Sequence, residues 1–140
     1  MGKGVVVLDT NVIVSAAFSP ASPPALAFER VVTQFVPLVS EETLGELNEV
    51  LLRPHIVAAV PEERLQRLLL AYRRASVLLR PTVSVEDSPD PDDAIFFQLA
   101  VTGRASFFVT GDKRLWALDP YGEVGTRVVS PRAFLDIDLP

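Results

Sequence analysis

Val5-Val6-Val7-Leu8-Asp9-Thr10-Asn11 decides the architecture of this 140-residue chain. Four apolar residues, three of them β-branched, predict a strand buried on both faces, as in a parallel sheet covered by helices on each side. The run then delivers a carboxylate, a hydroxyl and an amide within three positions. A carboxylate at the end of a buried strand is costly unless something compensates it. A metal, a helix N-terminus or a capping hydrogen bond would each do so. The pattern recurs at Phe107-Phe108-Val109-Thr110-Gly111-Asp112, another apolar run ending in a hydroxyl and an acid.

Between and around these runs the chain alternates strands with helices. Residues 12–18 suit a short helix behind the first strand. Pro24 suits the first turn of a helix over about residues 25–33, and residues 35–39 suit a second strand. Ser40 is a good N-cap for a helix over roughly residues 41–52, with Leu44, Leu47, Val50 and Leu51 as its apolar stripe. Pro54 is expected to end that helix, with Arg53 at its last turn. Pro61 opens a further helix to about residue 75, with Leu65, Leu68, Leu69 and Tyr72 inward and Arg64, Arg67, Arg73 and Arg74 outward. Residues 77–79 form a short third strand, and residues 82–91 form a loop. Asp90-Pro91-Asp92-Asp93 opens a helix to about residue 102, with Asp90 as cap and Asp93 reaching back in a capping box. Residues 106–110 and 127–129 supply two more strands. A short helix follows Asp112, and a last helical turn follows Ser130-Pro131. Strands alternating with helices argue for a parallel sheet, whose ligands bind at the carboxyl ends of its strands.

Composition narrows the chemistry. With 49% hydrophobic residues the chain can bury a sizeable core, and its length suggests one domain spanning residues 1–140. It contains no run of about 18 apolar residues, so no transmembrane helix is expected. The apolar run at residues 5–8 is far too short for a signal-peptide core, so a cytoplasmic protein is expected. The absence of Cys excludes disulfides, thiolate metal sites and Cys nucleophiles, and the single His excludes His-cluster zinc sites. The net charge of −5 argues against a broad basic surface for nucleic acid, yet acids pooled around a metal would overstate the repulsion a phosphate feels.

Four acids fall on one edge of the expected sheet. Asp9 and Asp112 end strands, Asp93 starts a helix on that edge, and Glu46 leaves that edge on a helix, flanking its apolar stripe. Each has a plain structural explanation: capping for Asp9, Asp93 and Asp112, and a solvated helix face for Glu46. Together they offer convergent oxygens without His or Cys, which suits a hard cation such as Mg²⁺ or Mn²⁺. Such a cation can activate water and stabilise an in-line displacement at phosphorus. His55 reads as a loop or surface histidine, and Trp116 as a core or interface residue. Lys113 and Arg114, directly after Asp112, and Arg53 are candidates for contacts with a phosphate backbone.

Leu8-Asp9-Thr10-Asn11-Val12, Glu46 within Glu42-Thr43-Leu44-Gly45-Glu46-Leu47, Asp90-Pro91-Asp92-Asp93 followed by Phe97-Gln98-Leu99-Ala100, and Val109-Thr110-Gly111-Asp112 resemble the ordered motifs of the PIN domain family. The likeness spans essentially the whole chain and is closest to VapC-like toxin ribonucleases of toxin–antitoxin pairs. It implies a three-layer α/β/α sandwich with a central five-stranded parallel sheet of order 3-2-1-4-5. It also implies a metal-dependent endoribonuclease, a homodimer, and an antitoxin partner whose segment blocks the site. Asp9, Glu46, Asp93 and Asp112 match the acidic positions, with Asp9 and Asp93 as the principal ligands of Mg²⁺ or Mn²⁺. Asn11 and Thr110 match polar positions that hold the acids. Spacing back from the segment at residues 103–112 favours Asp93, with Asp92 and Asp90 as alternatives. Relatives of this subtype often carry a further acid and Lys where Ala94-Ile95 stand here.

Two rival functions are consistent with parts of this pattern. One is a catalytically silent PIN-like module that binds RNA or a protein. The other is a phosphohydrolase with Asp9 as an aspartyl nucleophile. Many such enzymes place a second Asp two residues on, where this chain has Asn11.

Overall fold

A computed structural model describes residues 3–138. Its centre is β1 (Val5–Leu8), which pairs in parallel with β2 (Val36–Val39) on one side and β4 (Phe107–Val109) on the other. On the outer flanks, β3 (Val77–Leu78) pairs with β2, and β5 (Arg127–Val129) pairs with β4. The order is therefore β3-β2-β1-β4-β5, all parallel, as the resemblance to the PIN domain implied. The alternation of side chains along β1 splits the core in two. Val6 and Leu8 pack on one side of the sheet, with Val12, Val31 and Phe134, and Val7 packs on the other, with Phe97, Leu99 and Phe108.

Helices cover both faces. On the first side lie α1 (Thr10–Phe18), α2 (Pro23–Gln34), α3 (Glu41–Leu51), α5 (Glu62–Ala75) and α8 (Pro131–Leu135), and on the second α6 (Ala94–Thr102) and α7 (Lys113–Trp116). Local chemistry sets their starts. Ser22 caps α2 ahead of Pro23 and Pro24, Ser130 caps α8, and Ser40 and Thr43 form a reciprocal capping box on α3. Arg30 on α2 donates to the carbonyls of Phe134 and Ile137 and lies over the Phe35 and Phe134 rings, clamping the C-terminal helix to the layer.

Four expectations are corrected. Residues 54–59 form a further helix, α4 (Pro54–Ala59). Pro54 starts it rather than merely stopping α3, because proline at N1 costs no hydrogen bond. Arg53 accordingly stands at the N-cap position of α4, and exposed His55 lies on a helix rather than in a loop. Arg64 is not simply outward, since its Nε donates to the Ala17 carbonyl at 2.9 Å. On α3 the stripe is narrower than expected: Leu47 and Leu51 are buried, whereas Leu44 is exposed along a groove between α3 and α5. Finally, the helix expected from Asp90 is a 3-10 turn (Pro91–Asp93) followed by α6, and Asp93 makes no capping hydrogen bond.

Candidate active site

The parallel register carries Asp9 and Thr110 to the same sheet edge. Leu8 pairs with Val109, and the next step up the ladder joins the Asp9 N–H to the Val109 carbonyl at 2.9 Å. Here Thr110 Oγ1 donates to Asp9 Oδ2 at 2.7 Å, while the same hydroxyl accepts from the Asp112 N–H at 3.1 Å. The other Asp9 oxygen accepts from the Asn11 N–H at 3.3 Å, which caps α1. Asn11 itself ties the two strand ends together, its Oδ1 accepting from the Gly111 N–H at 3.1 Å. Capping and site-building are thus the same contacts at Asp9.

Asp9 is 6% exposed, and burial raises its carboxyl to about 6 against the two hydrogen bonds that favour its charge. The charges of Asp93 and Glu46 push it further in the same direction. Asp93 is also raised, first by burial, then by the neighbouring carboxylates of Asp112, Asp90 and Glu46. The four acids therefore share one electrostatic field, although they come from four separate segments. Asp90 is committed to the turn, its Oδ1 accepting from the Asp92 N–H at 2.9 Å, and Asp92 is exposed. Asp93 instead presents Oδ2, a buried oxygen with no hydrogen-bond partner.

Two contacts were not apparent from the sequence. Thr10 Oγ1 donates to Glu46 Oε2 at 2.6 Å, bringing α3 against the start of α1. The only sequence signal was the hydroxyl beside Asp9, because the contact depends on how two helices pack. Arg114 folds back onto the carboxylate that caps its own helix: Nη2 donates to Asp112 Oδ2 at 2.7 Å, and Nε lies 3.1 and 3.2 Å from the two oxygens. This pairing holds Asp112 below the usual carboxylate range. Trp116 braces the same loop, its indole N–H donating to the Thr110 carbonyl at 2.9 Å. It is a part-buried strut, in line with a packing role.

A PIN domain family profile matches residues 5–114, which takes in all four acids. The chain belongs to the PIN domain family. This PIN domain is 29% identical over 142 residues to the uncharacterised protein MJ1680 of Methanocaldococcus jannaschii, across 94% of this chain and 89% of that protein. Its fold is similar to one in the crystal structure of VapBC2 from Rickettsia felis bound to a DNA fragment from their promoter. That match has a TM-score of 0.57 at 12% identity, covering 90% of this chain and 98% of the other. PIN domains are generally nucleases.

Beside Glu46 the PIN domain has a polar groove of about 370 Å³ lined by Glu42, Glu46, Glu49, Arg53, Pro91, Asp92 and Ile95, so of the four acids Glu46 alone lines it. It brings Arg53 to the rim of the same groove as Glu46, and Lys113 and Arg114 stand exposed at the start of α7. Among the described residues, no three carboxylates already surround a single point. The donor set nevertheless fits a hard cation. All of its atoms are oxygens, one of them is buried without a partner, and one carboxyl is raised by burial and by like charge.

Proposed function

We propose that this PIN domain is a metal-dependent endoribonuclease, the toxin of a type II toxin–antitoxin pair, acting as a single domain. The observation that carries this reading is the juxtaposition of Asp9, raised to about 6, with Asp93 Oδ2, buried and without a hydrogen-bond donor. A fold held together by capping alone has no use for that arrangement, because an unpaired buried carboxylate oxygen is costly. Asp9 and Asp93 would be the principal ligands of Mg²⁺ or Mn²⁺, with Glu46 and Asp112 joining them directly or through water. Bound there, the cation supplies charge stabilisation at the phosphodiester and a more acidic water.

The chain's own residues orient and bind. Thr110 holds one oxygen of Asp9 and the Asn11 N–H holds the other, which fixes the carboxylate plane. Thr10 holds Glu46 Oε2, leaving the second oxygen to orient the attacking water. Lys113, Arg114 and Arg53 would contact the RNA backbone, and arginine is suited to forked phosphate contacts.

A homodimer and an antitoxin are part of the proposal. Support for a protein partner comes from the apolar groove between α3 and α5, about 340 Å³, lined by Val39, Leu44, Leu47, Leu69, Tyr72 and Leu78. Support for a cytoplasmic setting is limited to one fact: among the described residues, no helix is long and apolar enough to cross a membrane.

The test is cleavage of mixed single-stranded and structured RNA by purified protein, with Mn²⁺ against EDTA, beside Asp9→Asn. Cutting that needs Mn²⁺ and vanishes in the variant is the expected result. Cutting that survives the substitution removes Asp9 from the mechanism. RNA binding without turnover moves the assignment to a silent binding module.

A further inference from the structure

We propose that Arg114 is a built-in counter-ion that competes with the divalent metal for Asp112 and Asp93. This rests on the metal-site reading above. The guanidinium engages both oxygens of Asp112, and its Nη2 also stands 3.9 Å from Asp93 Oδ2. That second oxygen is the one without a hydrogen-bond partner. One side chain thus neutralises part of two of the four candidate ligands.

The local fold favours this pairing in the metal-free state. Asp112 caps α7 by accepting the Arg114 N–H at 3.0 Å, so the carboxylate and the guanidinium start only two residues apart. A fork of N–H donors matches a carboxylate's two oxygens. A metal cannot take the same lone pairs of Asp112 without displacing Nη2, because two cations would then share one oxygen. Displacement is cheap, since the Arg114 side chain is 61% exposed and water replaces what it loses. The arrangement explains why the acids share one field without converging on one point: two are held toward Arg114, and Glu46 is held toward Thr10.

By linkage, whatever stabilises the metal-free state weakens metal binding. Calorimetric titration of Mn²⁺ into the metal-free protein reads this directly, with wild type compared with R114A, R114K, K113A and D9N. R114A is expected to bind Mn²⁺ about twofold to fivefold more tightly, the range that exposed ion pairs carry. R114K, which keeps the charge but not the fork, falls between R114A and wild type. K113A removes an equal charge one residue away and tightens binding less than R114A. The metal-free melting temperature of R114A at low salt falls, and saturating Mn²⁺ raises it by more than in wild type.

If R114A binds Mn²⁺ no more tightly than wild type, or K113A tightens it equally, the inference is overturned while the metal site stands. If wild type binds no Mn²⁺, or D9N binds it as well as wild type does, the metal-site reading falls and the inference falls with it. R114K retains the charge and so keeps the comparison available should R114A fold poorly.

Discussion

Thr110 Oγ1 donates to Asp9 Oδ2 at 2.7 Å across 101 residues of sequence, and the pair forms the hinge between the two strands that build the site. Thr110→Val keeps the shape and removes the donor. It leaves Asp9 Oδ2 without a donor in a buried setting and the Asp112 N–H without its acceptor. A loss of about 1–3 kcal/mol is expected at pH 8, where Asp9 is ionised. The loss is smaller at pH 5, where the proton on Asp9 relieves it. Urea denaturation at the two pH values measures the difference, and equal losses at both would rule out an ionised Asp9 as the partner.

Burial of Asp9 also gives the metal-free protein a defined pH response. The folded-state carboxyl titrates at about 6, whereas an unfolded Asp titrates at about 3.9. Between these values the folded state holds more protons than the unfolded state, so stability falls as pH rises. The contribution is fully present below about pH 4 and is lost through pH 6, at most about 3 kcal/mol. Asp93 is raised and acts in the same direction, whereas Asp112 and Asp119 are lowered by Arg114 and Arg127 and act oppositely. On the proposed function, metal would need the ionised form of Asp9. Saturating Mn²⁺ should therefore raise the melting temperature much more at pH 8 than at pH 5. An equal rise at both would separate metal binding from Asp9.

The hydroxyl on Glu46 gives a third expectation. Thr10→Val removes the donor to Glu46 Oε2 and frees that side chain to rotate. Residues that orient metal-bound carboxylates typically matter about tenfold to hundredfold for affinity or activity. Single-turnover RNA cleavage should fall by that factor while the fold persists. Unchanged cleavage would mean that Glu46 is oriented by something else.

Away from the site, Gly103→Ala probes the packing that supports it. A Cβ there would come within 2.3 Å of Leu38 Cδ1 and 2.9 Å of Leu79 Cδ1. Leu38 is buried beneath α6, so two side chains must move together. The expected cost is about 1–3 kcal/mol in urea unfolding, with RNA cleavage per folded molecule unchanged. A neutral result would show that this end of the sheet is loosely packed.

The backbone frame was legible because it follows from local rules. The run at Val5–Leu8, the serines that start α3 and α8, and Gly103 after α6 each carry their own physical signature. The strand order came with the family resemblance, not from periodicity. α4 was missed because proline marks helix starts as well as stops, and only Ile56 in that short helix is buried. Asp93 was read as a reciprocal cap, but Asp90 and Pro91 wind the chain into a tighter turn in which that carboxylate is left without a capping partner. The acids were legible as spacing. Their hydroxyl and guanidinium partners, Thr10 and Arg114, were not, because those contacts arise from helix packing and from side-chain folding onto a cap.

The placement of β1 beside β4 has a consequence for how the molecule can be divided. Asp9 and Glu46 lie before the segment at residues 79–90, and Asp93 and Asp112 lie after it. The first portion carries β3-β2-β1 and the second carries β4-β5, so the sheet parts along a single seam. A chain severed in that segment would give two inert pieces, each with half the carboxylates. On the proposed function, phosphodiester cleavage would return only when the pieces zip together along the seam, so a chain split there would report its own reassembly.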